Sequence, residues 1–594
     1  MRATALFLSF ILPLVIPVSA NTFNAPDVIP SLWQLLSIPP LPNTPIEFTL
    51  VLAPSNRDGL QSRMKDIALA PLGSPGRRWL TQQDVAGYVG ATPQVRSSVE
   101  SVLAAIPGAT FEFNSYGDQV TVHTIVGEAA KFLSAIFLTY QHDSGPSVIR
   151  AHSVTIPPSI SDAVIDIFPL LAFGQITPVG KVNPVEPRRR YRPSHARRAA
   201  THNGNNLMTR APLCDVHAIT LQCIRTIYSL NDYIPPTPSA SDPPSIGVMG
   251  YIEESYNSTD LKTYLTKYRP EAQNYSIDVQ EWNGGKNNQS NPGYEASLDV
   301  QTVAGLVWPL KSTFYDVGSG TLDDLFLYTF QQFLAMDALK RPAVISVSYG
   351  YNEYQLTKQQ ANTMCAEAEK LTAEGTTIIF SAGDNGVYKS SSRKAPGDPK
   401  CPPFRPTYPS GCPYILSVGS TEGLPKSLGG DGERATGRGK STGDGGTAAN
   451  HYIRFLKGRE NGNYNKTGRA YPDVSAQGSH QLIVVDGDDV NIGGTSASAP
   501  IFASIITLIN ARIRQLYGED AGGLGWVHPL FYLYPGIRTA WNDVVNGGSY
   551  GCDGDAQGIG GPGNGGFPAT HGWDASTGWG TIDFVRFWKA LEGL

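Results

Sequence analysis

The chain is 594 residues long and carries a formal charge of −5 at pH 7. That is more chain than one hydrophobic core organises, so at least two domains are expected, each large enough to fold without staples. With 46 Lys and Arg against 51 Asp and Glu there is no global basic field, which excludes nucleic acid as the main partner.

Residues 1–20 start with Arg2, run through the apolar stretch Ala5 to Val15 and end in Val18-Ser19-Ala20, the pattern of a secretory signal peptide. The run is short and interrupted by proline, and no later stretch of uninterrupted apolar residues has membrane-spanning length. A soluble, secreted, extracellular chain is expected. From 21 to 175 the pattern is α+β. A strand at Phe48–Leu52 is followed by a helix after Asp58 and a helix capped by Thr81. Strands at Thr110–Asn114 and Val120–Ile125, a helix from Glu128 and a strand at Val148–His152 complete it. Residues 176–212 set Lys181, Arg188, Arg189, Arg190, Arg192, Arg197, Arg198 and Arg210 among Pro, Asn and Gly, with Glu186 as the only acid. Such a segment buries little apolar surface and is readily cut, so it reads as a basic linker containing a maturation site.

From 213 to 594 helical patterns alternate with short apolar runs, the mark of a parallel sheet covered on both faces. Ala343–Ser348, Thr376–Phe380 and Tyr414–Val418 are the best strands, and Ser498–Leu516 reads as a long apolar helix. Glycine is heavy at 429–447 and 547–580, which predicts long structured loops rather than more sheet. All six cysteines fall after the linker. Cys214 and Cys223 are close enough to close a small loop, and the other four stay open, Cys365–Cys412 with Cys401–Cys552 being one arrangement. Sequons at Asn257, Asn274, Asn288 and Asn465 fit surface glycosylation.

Gly494-Thr495-Ser496 puts a serine where a Gly-rich turn meets a long helix, whose N-terminus stabilises developing negative charge. Its base is not a histidine: among His202, His217, His451, His480, His528 and His571 none stands in a His-Gly-Thr segment. Glu295 and Asp299, four apart on one helix face, form a carboxylate pair that repels when doubly ionised, shares a proton and works in acid. Asp384 follows the strand Thr376–Phe380 in Ser381-Ala382-Gly383-Asp384, at the strand end where open α/β sheets bind ligands. In its neutral form it can donate to an oxyanion.

In this order the three motifs resemble the sedolisin family of serine-carboxyl peptidases, and Trp33, Pro71–Val85 and Cys214–Tyr233 extend the likeness toward fungal secreted tripeptidyl-peptidases. The resemblance implies a subtilisin-like parallel sheet flanked by helices, preceded by an α+β ferredoxin-like propeptide domain. It assigns Ser496 as nucleophile, Glu295 as general base then acid, Asp299 as its orienting partner and Asp384 to the oxyanion hole. Ala382 and Gly493 stand where the family usually has serine, which touches subsite geometry and no catalytic side chain. The family's C-terminal calcium site falls, position by position, on the side chains of Asp543 and Asp574 and the main-chain oxygens of Val544, Thr570 and Gly572, where Gly-rich turns can direct carbonyls inward. The implied partners are peptide or protein substrates and the chain's own propeptide as inhibitor, with neither nucleic acid nor membrane, and a monomer is expected. An acid endopeptidase on the same scaffold, a non-catalytic calcium-stabilised binding protein and a conventional subtilisin are the alternatives.

Overall fold

The computed structural model describes residues 21–173 except 27–28, 30–32 and 144; 177–178; 214–387 except 240–241, 244 and 320–323; 404–435 except 429; 446–456; 464–550 except 519–520; and 566–594. The signal peptide, nearly all of the basic linker, and the pair Cys401–Cys552 lie outside the described residues. The chain divides into two compact units.

The first unit comprises Gln34–Ser55 and Gly90–Leu171 with the N-terminal residues to Ala25. Its strands β1 (Pro45–Leu52), β2 (Thr110–Phe113), β3 (Gln119–Ile125) and β4 (Val164–Phe168) form one antiparallel sheet in the order β2-β3-β1-β4, the ferredoxin-like arrangement. Alternation along β3 turns Val120 and Val122 inward with Phe48 and Leu50 of β1, and Phe48 stacks on Phe132 of the helix Val126–Phe132.

The second unit holds Pro26–Trp33, Asn56–Val89 and Ala172–Leu594. Its sheet is built from β5 (Ile246–Tyr251), β6 (Asp278–Trp282), β7 (Ser312–Val317), β8 (Val344–Val347), β9 (Thr377–Ser381), β10 (Ile415–Glu422), β11 (Arg434–Ala435) and β12 (Val474–Gln477). Six strands run parallel in the order β6-β7-β5-β8-β9-β10. β12 also joins β10 in parallel, and only β11 is antiparallel. Every residue of β5, β7, β8 and β9 is buried, as the continuous apolar runs require of a sheet covered on both faces. The chain leaves β5 for β6 and β7 on one side and then crosses to β8 on the other, so the carboxyl end of β5 is the switch point where such sheets bind ligands.

The long helix spans Thr495–Tyr517 and packs across β5, β8, β9, β10 and β12. It starts three residues earlier than its apolar pattern suggests, because Gly494 rather than a side chain caps it, and Ser496 therefore sits inside its first turn. At 23 residues it is long and apolar enough by mean composition to cross a membrane, although Ser504, Thr507 and Asn510 interrupt its apolar run, and 94% of its apolar window is buried inside the unit. The Gly-rich stretches correct an expectation. They contain the short strands β11, Gly548–Tyr550 and Gly566–Pro568, since paired backbone satisfies its own hydrogen bonds even where side chains contribute little. Cys214–Cys223 and Cys365–Cys412 are disulfides. Asn274, Asn288 and Asn465 are exposed, whereas Asn257 caps the helix Ser258–Tyr268 and donates its amide to Gln289 O at 2.6 Å.

Candidate active site

The helix Tyr294–Val307 begins beside the carboxyl end of β5 and packs along the helix Thr495–Tyr517. Both are buried over nearly their whole length, so their polar residues are removed from bulk solvent. Glu295, one turn above Asp299, is 3% exposed, Asp299 1%, and Ser496 is fully buried. The Ser496 hydroxyl lies against the Glu295 carboxyl and favours its ionised form, yet Ser496 Oγ and both Glu295 oxygens complete no hydrogen bond. Burial pushes Glu295 well above the usual carboxylate range, and Asp299 adds to this, with smaller contributions from Asp384 and Glu254. Burial likewise raises Asp299, against the Ser348 hydroxyl that donates to its Oδ1 at 2.9 Å.

Ser348 was not visible in the sequence pattern, and it does two things. Pro500 lacks the N–H that would bond the carbonyl of Ser496 four residues back, and the single proton of Ser348 Oγ, donated mainly to Asp299, is shared with that carbonyl at 3.4 Å. One hydroxyl thus ties the nucleophile's backbone to the carboxylate pair. Glu254 was missed too. It follows β5 after Ile252 and Glu253, both at positive φ, and its carboxyl meets the backbone N–H groups of Glu295 and Ala296 at the start of the helix. A Cβ on Gly293 would fall 1.6 Å from a Glu254 oxygen, so any side chain there would push the Glu254 carboxyl from its place. The rule that nominates Asp384, a carboxylate at the end of a parallel strand, would have nominated Glu254 had β5 been recognised.

Asp384 closes the group from the far side. Its Oδ1 accepts from Thr495 N at 2.6 Å and Thr495 Oγ1 at 2.8 Å, while the buried Oδ2 is unpartnered and 2.5 Å from where a Gly494 Cβ would stand. With Oδ1 committed as an acceptor, Oδ2 is the oxygen able to carry a proton toward a substrate. All four predicted side chains are therefore drawn into one cluster, at the carboxyl edge of the sheet. Beside it, Thr177–Pro178 pairs antiparallel with Tyr349-Gly350, immediately after Ser348.

The residues expected to hold an ion lie elsewhere in the unit. Asp574 is fully buried and accepts from Thr570 N, Ser576 N and Thr577 N, each at 2.9 Å; burial pushes it up to about 7. None of those partners is charged, so a cation fits this carboxyl. Asp543 Oδ2 accepts from Gly572 N at 3.0 Å, which brings the two carboxylates onto the same loop. Among the described residues no group of three His, Cys, Asp or Glu side chains is arranged to hold a metal ion, so an ion here would depend on main-chain oxygens.

Fold and site together define a serine peptidase of the subtilisin-like class with carboxylates in place of histidine. The profile of the Pro-kumamolisin activation domain matches residues 37–173 and that of the subtilase family residues 282–524. Tripeptidyl-peptidase SED4 of Arthroderma otae is 29% identical over 93% of this chain and 91% of its own length. The protein named "Probable tripeptidyl-peptidase SED3" of Arthroderma benhamiae is 30% identical over 95% and 94%. Pseudomonas sedolisin superposes with a TM-score of 0.47 at 19% identity, covering 63% of this chain and 98% of that one. The chain belongs to the sedolisin family of serine-carboxyl peptidases.

Proposed function

We propose that the protein is a secreted zymogen whose mature form releases tripeptides from free N-termini in acid. The observation that carries the chemistry is the buried Ser496 hydroxyl lying between the Glu295 carboxyl and the Thr495-Asp384 contact, with no competing hydrogen bond. Ser496 Oγ attacks the scissile carbonyl carbon and passes its proton to Glu295, while the oxyanion accepts from Asp384 Oδ2. Collapse breaks the C–N bond as Glu295 returns the proton to the leaving amine. Water then attacks the acyl-enzyme with Glu295 again as base, freeing Ser496. Asp299, held by Ser348, keeps the pair's one proton while Glu295 acts as base, and orients Glu295.

The two carboxyls lose their protons in separate steps, and the working state is the one in which they share a single proton. Because both are raised by burial, double ionisation sets the alkaline limit of activity. The antiparallel segment Thr177–Pro178 supports the reading that the uncut chain occupies its own cleft. Tripeptidyl specificity rests on the SED relatives, and secretion on the N-terminal signal pattern together with two disulfides. One calcium ion, held by Asp543 and Asp574 with main-chain oxygens of Val544, Thr570 and Gly572, would neutralise the buried Asp574 and order the loop.

Peptides matched except for a free or blocked N-terminus, incubated with acid-activated enzyme, test the specificity. Products in steps of three from the free peptides alone are expected. Internal cuts in blocked peptides would make it an endopeptidase, and an unchanged rate in Ser496→Ala would overturn the mechanism.

A further inference from the structure

At the amino end of β9, away from the catalytic edge, the second unit holds a feature that catalysis does not use. Trp79 is 9% exposed, and its indole rests on Gly375, Gly522 and Gly525. A Cβ at these glycines would meet the ring at 2.8, 3.2 and 2.3 Å, and all three have positive φ, so no other residue provides this socket. The one polar atom of the ring is satisfied, Nε1 donating to Gly523 O at 2.9 Å, and Leu80 N donates to Ala373 O at 3.0 Å. Around this apolar centre lies a charged rim. Arg57 Nε meets the buried Glu369 at 2.8 Å, and Gln61 Nε2 donates to Glu369 at 3.2 Å and to Tyr414 OH at 2.8 Å. Arg77, fully buried, braces the segment from within by donating to Ala68 O and Ala70 O at the end of the helix Arg57–Leu69.

A buried aromatic anchor inside a polar rim is the anatomy of a binding interface rather than of a continuous core. Thr377, whose Oγ1 donates to Gly525 O at 2.8 Å, opens β9, and Asp384 lies beyond its other end, roughly 15 Å or more along the strand. None of these contacts involves Ser496, Glu295, Asp299 or Asp384. The covalent link from Trp79 to Ser496 runs through the basic stretch 176–212, where a cut would leave the segment 56–89 held by non-covalent contacts, the Trp79 socket and its charged rim foremost, with Gln82 Nε2 donating to Leu334 O at 3.5 Å and Gly73 resting on Tyr517 beside them.

We propose that residues 56–89 are a docking handle, which keeps the severed N-terminal segment bound to the peptidase unit through the glycine-lined Trp79 socket, at a surface separate from the active site. The inference rests on the zymogen reading only for the cut in the linker. A full-length Ser496→Ala chain nicked by trypsin within Arg188–Arg198 keeps the two readings distinguishable, because no activity of the chain is needed. Gel filtration at neutral pH is expected to show both fragments together, with Trp79→Ala speeding their separation roughly 30-fold or more. Trp79→Phe, which keeps a ring but loses the N–H, and Arg57→Ala are expected to speed it several-fold, and they decide the matter if Trp79→Ala does not fold. Separation at once in the parent, or equal rates in the parent and these variants, would overturn the proposal.

Discussion

Carboxylates buried in the same unit are shifted in opposite directions. Burial pushes Asp473 upward as it does Glu295 and Asp299, but Arg469 lies 2.6 and 2.7 Å from its two oxygens. His528 at 3.3 Å, Ser417 N at 2.8 Å and Tyr532 OH at 2.7 Å complete its shell, and the balance holds Asp473 well below the usual carboxylate range. Glu295 has no cation beside it and faces three other carboxyls, Asp299, Asp384 and Glu254, so it goes the other way. Burial therefore sets the stakes and partners decide the sign. The unit thus compensates Asp473 with a cation and leaves the Glu295 carboxyl without one.

Removing the groups that define each side of this contrast gives the largest effects. Ser496→Ala and Glu295→Gln are each expected to lower kcat/KM by roughly 10⁴-fold, with the fold intact by circular dichroism. Arg469→Ala should instead spare the chemistry and cost about 3–5 kcal/mol of stability, read by denaturant melts, because Asp473 is left as an uncompensated buried charge. A variant as stable as the parent would mean that His528 alone suffices. Chelation of calcium should lower stability by about 2–4 kcal/mol and leave Asp574→Asn almost insensitive to chelator, if the ion is the missing partner of Asp574.

The pH dependence sharpens the same contrast. A carboxyl whose folded pKa is raised contributes stability below its unfolded pKa and loses it as pH rises through the folded value. Glu295 and Asp299 thus stabilise the acid form, and thermal melts across rising pH should fall less steeply in Glu295→Gln. Asp473, depressed, stabilises above its unfolded pKa and loses that contribution only in strong acid. The smallest effect concerns Glu433, which accepts from Thr581 at 2.7 Å and is pushed up to about 7 by burial. Glu433→Gln should flatten the decline in stability between about pH 4 and pH 7 by on the order of 1–2 kcal/mol, and an unchanged slope would reject that assignment.

Much of this was legible along the chain. The helical spacing of Glu295 and Asp299, the apolar runs of β8, β9 and β10 and the Gly-Thr-Ser turn are local, and local pattern sets which face a side chain joins. β5 and β7 were missed, since short buried runs carry no periodicity that separates strand from helix. With β5 unseen, Glu254 had no reason to stand out. Ser348 lies 49 residues from Asp299 and 148 from Ser496, and nothing in its neighbourhood announces a shared hydroxyl.

The sequence by itself determined the chemical parts: a serine at a helix start, a carboxylate pair one turn apart and an acid at a strand end. Tertiary structure decided what they become. Only packing removes water from Glu295 and withholds a cation from it while giving Arg469 to Asp473, and only packing seats Trp79 on three glycines distant in the chain. Ionisation follows the solvent and charges brought within a few ångströms, and those neighbours are fixed by the fold rather than by adjacency along the chain.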